Sequence, residues 1–185
     1  PMPFQKFFLF PTAIFLLFTA CSLKYESSSN AENTVPEIIS EGAVFSSVED
    51  EKKLFSVKTE KMEQYQGSSQ SCSKKLDFEF FNKDGILQAQ GRCDFLYADE
   101  NTGEYILCGN IKIEQTDNEI TIFSESLKWN EQSQRLYGQK NEKVTLTKKN
   151  LTVEGTGFCA SAADNQFSFS GNVHGTLITG EEKEQ

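Results

Sequence analysis

Leu76-Asp77-Phe78-Glu79-Phe80 alternates apolar and charged residues at every step. A period of two marks a strand with one face buried and the other in water. The same beat recurs downstream. Leu87, Ala89, Gly91, Cys93, Phe95 and Tyr97 keep it, as do Ile111 and Ile113, Ile120 and Ile122, Val144 and Leu146, Leu151 and Val153, and Phe167 and Phe169. Turn-forming clusters punctuate the runs: Asn82-Lys83-Asp84-Gly85, Asp99-Glu100-Asn101-Thr102-Gly103, Thr116-Asp117-Asn118, Lys148-Lys149-Asn150 and Ala163-Asp164-Asn165. The pattern predicts an all-β chain of antiparallel strands. Residues 37–66 stay open, because Leu54, Val57, Met62 and Tyr65 fit strands or one short helix equally.

The composition agrees with a folded domain. The chain has 185 residues, enough for one core plus an anchor and a tether, and 16 of them are Phe. A disordered chain is poor in aromatics. The formal charge of −9 lacks the basic footprint of a nucleic-acid binder, so no nucleic-acid partner is expected.

Residues 1–20 are of a different kind. Lys6 supplies a thin positive region, and Phe7 to Phe18 is apolar apart from Pro11 and Thr12. The run is shorter than the ~20 apolar residues of a spanning helix and reads as an export signal. Thr19-Ala20 precedes Cys21, and small residues before a cysteine at this point resemble the bacterial lipobox, although Phe18 stands where Leu is usual. That resemblance implies cleavage before Cys21 and lipidation of its sulfur. The mature charge becomes −10, because the removed segment carries Lys6 and no acid. Residues 21–35 then form the lipidated cysteine and a flexible tether, with an average reach of roughly 20 Å and at most about 50 Å. Residues 36–180 form the folded domain, and 181–185 a polar tail.

A weak repeat lies inside the domain. Leu107-Cys108-Gly109 opens one unit, continued by Ile111, Ile113, Ile120-Thr121-Ile122, Leu127 and Trp129. Leu136-Tyr137-Gly138 opens another, continued by Val144, Leu146, Leu151-Thr152-Val153 and Gly157-Phe158. Each unit is a strand pair that cannot bury its apolar face alone, so stacked units share one core.

Leu127-Lys128-Trp129-Asn130, Val144-Thr145-Leu146, Leu151-Thr152-Val153-Glu154-Gly155-Thr156-Gly157-Phe158 and Phe169-Ser170-Gly171-Asn172-Val173, in this order and spacing, resemble the LptC family of lipopolysaccharide export. Pro36-Glu37-Ile38-Ile39, Ile86-Leu87-Gln88-Ala89, Phe95-Leu96-Tyr97 and Leu107-Cys108-Gly109-Asn110-Ile111 fit the same pattern, so the resemblance spans about residues 36–178. It implies a single twisted, open, V-shaped antiparallel β-jellyroll. Such a domain holds one acyl-rich glycolipid, such as lipopolysaccharide, and links an inner-membrane ABC transporter complex to a periplasmic β-jellyroll bridge protein. The departure is at the anchor: the family usually keeps a transmembrane helix where this chain resembles a lipoprotein. The expected place is the periplasmic face of a membrane, the inner in preference to the outer.

Under that reading the apolar groove is lined by Phe78, Phe80, Ile111, Ile113, Ile120, Ile122, Leu127, Trp129, Val144, Leu146, Leu151, Val153 and Phe169. Each buried CH₂ of an acyl chain contributes about 0.8 kcal/mol. Ordinary core is the competing role for each residue. The segment after Pro36 and the strand from Phe167 to Thr179 are the expected sheet edges, where free main-chain groups can dock a partner by strand addition. Phe167, Phe169, Asn172 and Val173 are the docking candidates, with proline expected to be tolerated at Asn172 or Val173.

Catalysis has little support. His174 is the only histidine and reads as a solvent-facing strand residue. No nucleophile elbow, phosphate loop or paired metal-ligand spacing occurs, and neither enzyme activity nor a cofactor is expected. Gly155-Thr156-Gly157 reads as a bulge or kink in a sheet. Cys72, Cys93, Cys108 and Cys159 permit disulfides in an exported protein, with Cys93 and Cys108 the best pair because they flank the Asp99–Gly103 turn. Buried free thiols are the alternative. Three functions remain open at this point: a glycolipid shuttle and bridge, a periplasmic binding scaffold, and an envelope structural or surface lipoprotein.

Overall fold

The computed structural model describes residues 35–65, 69–162, 164 and 166–179. The expected signal segment, Cys21, nearly all of the tether and the polar tail lie outside them. Among the described residues there are ten strands and no helix: β1 (Pro36–Glu49), β2 (Lys52–Tyr65), β3 (Gln70–Phe81), β4 (Leu87–Asp99), β5 (Glu104–Gln115), β6 (Ile120–Asn130), β7 (Arg135–Gly138), β8 (Val144–Lys148), β9 (Leu151–Ser161) and β10 (Gln166–Leu177). All pair antiparallel in one sheet whose order follows the chain from β1 to β7, then β9 and β10. The ambiguous stretch is thus a hairpin. Asp50 and Glu51 both take positive φ (48° and 63°), the two-residue geometry whose twist matches antiparallel strands.

β7 and β8 are halves of one interrupted strand. β7 pairs with Leu127–Asn130 of β6, β8 with Ile120–Phe123, and β9 pairs with both. The repeat in the sequence is the hairpin β5–β6 followed by the hairpin from β7 and β8 to β9.

The interruption belongs to a larger feature. Residues with left-handed φ fall at one level of the sheet in strand after strand: Gly42 (61°), Lys75 (50°), Gly109 (76°), Asn110 (47°), Gly157 (63°) and Asn172 (46°). Register shifts between Arg92 and Phe95, Cys108 and Ile111, and Gly171 and His174 lie at the same level. Bulges of this kind bend their strands. Here they align into a crease crossing the sheet at right angles to the strands. It separates a proximal limb, which holds the start of β1, from a distal limb.

The crease also resets the alternation. Inward residues step by three across it, from Ser73 to Leu76, Cys93 to Leu96, Ser124 to Leu127 and Gly155 to Phe158. The long run expected from Leu87 to Tyr97 therefore does not stay on one face. Cys93 is buried, but Phe95 and Tyr97 are 39% and 48% exposed and point outward. The ten buried apolar residues straddle the crease as one cluster. Val57, Leu76, Phe78, Cys93, Ile111, Val144 and Leu146 come from the distal limb, and Leu107, Leu127 and Phe158 from the proximal one.

Polar side chains fix the bend. On the outside, Lys75 Nζ lies 2.6 Å from Glu60 Oε2, Asn110 Nδ2 donates to Asp94 Oδ2 at 2.6 Å, and the Asn110 N–H donates to Glu125 Oε2 at 3.2 Å. The hydrogen bond and charge of Lys75 hold the Glu60 carboxyl below its ordinary pKa. Beside the interruption, the Ser124 hydroxyl donates to the Ser126 carbonyl and accepts the Ser126 N–H, while Gln139 Nε2 donates to Ser126 Oγ at 3.0 Å. These buried serines satisfy groups that the interrupted strand leaves without a ladder partner. At Gly157 a Cβ would collide with Ser170 Oγ, so both its φ and its contact with β10 require glycine.

Candidate functional site: the inner face of the sheet

All thirteen residues expected to line a groove share the inner face. In the distal limb one row runs unbroken across eight strands: Val57, Phe78, Gly91, Ile113, Ile122, Leu146, Val153 and Gly175. Beside it Phe55, Phe80, Ala89, Gln115, Ile120, Lys148, Leu151 and Leu177 form a second row. In the proximal limb Leu96, Leu107, Leu127 and Gly138 are in register, and farther from the crease so are Tyr105, Trp129, Leu136, Ala160 and Phe167. Phe169 stands opposite Phe158, their ring centroids 5.3 Å apart.

Burial divides the thirteen into two groups. Ile111, Leu127, Val144 and Leu146 are at most 2% exposed and lie near the crease, and Phe78 is also buried: these five are core. Ile113, Ile120, Ile122, Trp129, Leu151, Val153 and Phe169 are half-buried, and Phe80 is 45% exposed. The apolar surface therefore stays partly open instead of closing over. Phe80 is flanked by Phe55 at 5.1 Å and Phe78 at 5.6 Å, which makes an aromatic corner at the distal end. Phe55 was not among the sequence candidates. Its Phe55-Ser56-Val57 alternation is the signal that could have found it, but it lies in the stretch left open. Phe158, 1% exposed, was likewise seen only as part of a motif.

β1 and β10 are the two edges of the sheet order. Of the docking candidates, Phe167 is 44% and Val173 52% exposed, while Phe169 packs against the core. Asn172 and Val173 form the β10 bulge, and His174 is exposed opposite Glu154. Among the described residues no His, Cys, Asp and Glu side chains group so as to hold a metal ion.

The four cysteines of the domain are free thiols. Phe95, not Cys93, stands opposite Cys108, because the bulge between the two cysteines changes the face of the chain. Cys93 turns into the core opposite Leu76, and Cys108 shares the outer face with Phe95. Burial, and next the neighbouring Cys108, push the Cys93 thiol up to about 12, against a hydrogen bond from the Cys108 main chain. Since the thiolate is the nucleophile, Cys93 should react with a disulfide reagent at pH 8 at least about a hundredfold more slowly in the native protein than in denaturant. Mass spectrometry of the labelled protein checks this; equal rates would show that Cys93 is not held in the core.

The crystal structure of LptH, the LptA-homologous periplasmic component of the lipopolysaccharide transport device of Pseudomonas aeruginosa, aligns with a TM-score of 0.47 and 6% identity, over 81% of this chain and 100% of that one. No curated protein matches the chain by sequence. A family model described as lipopolysaccharide-assembly, LptC-related, matches residues 12–178, which takes in every strand of the sheet. The protein with this creased, one-sheet β-domain belongs to the LptC-related family of lipopolysaccharide assembly.

Proposed function

We propose that the protein carries the acyl chains of lipopolysaccharide or a related glycolipid along the inner face of its sheet. In this reading Cys21 anchors it by lipid at the periplasmic face of a membrane. It passes its load from an inner-membrane ABC transporter complex to a periplasmic β-jellyroll partner. The observation that carries the reading is the uneven burial of one face: it is sealed at Ile111, Leu127, Val144 and Leu146 and half-open at Phe80, Ile113, Ile120, Leu151 and Trp129. A protein using this face only as core would gain by closing it, at about 25 cal/mol for each Å² of apolar surface removed from water. Edge strands β1 and β10 supply free main-chain groups for strand addition on either side.

Photocrosslinking tests the groove directly. A photoreactive residue in place of Ile120 or Leu151 should crosslink to the glycolipid, and one in place of Thr121 or Thr147, on the opposite face, should not. Equal yields from both faces would refute the groove.

A further inference from the structure

The outer faces of the two limbs differ in chemistry. On the distal limb Glu79, Gln90, Glu114, Thr121, Thr147 and Thr152 make one wholly polar outward row across six strands, and the next row toward the crease is charged or polar apart from Val44 and Phe123. The corresponding row of the proximal limb contains Ile39, Cys72, Tyr97, Ile106, Tyr137 and Cys159, with Phe95 and Cys108 in the next row. Ile39 is 54%, Tyr97 48%, Phe95 39% and Ile106 38% exposed. The groove does not use this face, and among the described residues no strand covers it.

We infer that the outer face of the proximal limb lies on the surface of the bilayer that holds the chain. The inference rests on the lipid-anchor reading of Cys21. Three observations select this occupant. The domain begins at Pro36, opposite Tyr65 at the far end of the proximal limb. Cys21 precedes Pro36 by 15 residues, a covalent reach of at most about 50 Å, so an anchor at Cys21 attaches to the sheet at this limb and not at the distal one. The exposed side chains are the apolar Ile39, Phe95 and Ile106 with Tyr97, and half-buried Tyr137 stands in the same row; tyrosine joins an apolar body to a polar tip, as favoured at the membrane interface.

The charges within this face are adapted to such a contact. Glu63 takes Lys61 at 2.6 Å and the Tyr65 hydroxyl at 2.9 Å, and these bonds hold its carboxyl below the ordinary range. Lys128 lies 2.6 Å from Glu104. The lysine stems can lie along apolar surface with their ammonium groups in the headgroup layer.

The native thiols Cys72, Cys108 and Cys159 are built-in reporters of this face. The test uses the mature lipidated chain, reconstituted in vesicles of phosphatidylethanolamine and phosphatidylglycerol and treated with a charged, water-soluble maleimide. The reference is the mature chain carrying Cys21→Ala, in buffer without vesicles. Labelling of the three thiols should slow at least about fivefold on the vesicles. A Thr147→Cys reporter on the distal outer face should label equally in both. Tyr97→Glu should restore fast labelling on the vesicles while flotation is unchanged. Flotation reads the anchor separately: if the Cys21→Ala chain floats as the lipidated one does, the anchor reading fails. A lipidated chain that floats with its three thiols fully reactive overturns the face alone. Slow labelling in the vesicle-free reference overturns it in favour of a second copy of the chain.

Discussion

Val144→Asp should leave no folded domain, whereas Ile122→Asp should leave a folded domain that no longer crosslinks to glycolipid. The two residues lie on the same face of adjacent strands, and only their burial separates them. Val144 is 0% exposed, packed where β8 begins beside the interruption and opposite Gly155. A carboxylate there has no partner, and burying it costs several kcal/mol. That is comparable with the whole stability of a small domain, about 5–15 kcal/mol. Ile122 is half-buried in the distal row, where its carboxylate can reach water but would place a charge where an acyl chain must lie. Circular dichroism reads the fold and photocrosslinking reads the load. If Ile122→Asp folds and still crosslinks at the wild-type level, the load lies elsewhere on the sheet.

Val173→Pro should lower recovery of a downstream β-jellyroll partner at least about tenfold while shifting the melting temperature by only a few degrees, since proline is tolerated at edges and bulges. Val173 is exposed in the β10 bulge, where the register with β9 is already interrupted between Gly171 and His174. The neighbouring Asn172 is not an equivalent site, contrary to the reading of the sequence. Its φ is 46°, and a proline ring fixed near −65° would force the bulge apart. Recovery of an upstream partner through β1, at the other edge, should be unchanged. A stable Val173→Pro chain that still captures the downstream partner would show that β10 is not the contact.

Much of this was legible in the sequence, and the rest was hidden for one reason. The runs Leu76–Phe80, Ile111–Ile113, Ile120–Ile122, Val144–Leu146 and Leu151–Val153 each lie wholly on one side of the crease, so their alternation read true and all their apolar residues share the inner face. The run Leu87–Tyr97 crosses it, and there the same rule failed. Gly155-Thr156-Gly157 was recognisable as a kink because glycine favours left-handed φ. Lys75 takes the same conformation with a side chain that does not announce it, whereas Asn172, in the Gly171-Asn172 pair, is of a type enriched there. β2 stayed ambiguous because its charged residues break the apolar rhythm between Val57 and Tyr65. The split of the groove candidates into core and open lining was beyond any pattern of two, since it is set by what packs over each residue: Phe78 and Leu146 are buried in the same row in which Ile113, Ile122 and Val153 are half-buried.

The crease also dictates where this chain can change length. A turn such as 82–86 or 116–119 ends a hairpin, and an insertion there alters no register. One residue gained or lost between a turn and the crease is different: it inverts every side chain on that stretch, so apolar residues meet water and lysines meet the core. Only a second change, at or beyond the crease in the same strand, restores the frame. The strands therefore behave like reading frames with a common punctuation mark. Length variation among such domains should gather at hairpin tips, or come in compensating pairs on one strand.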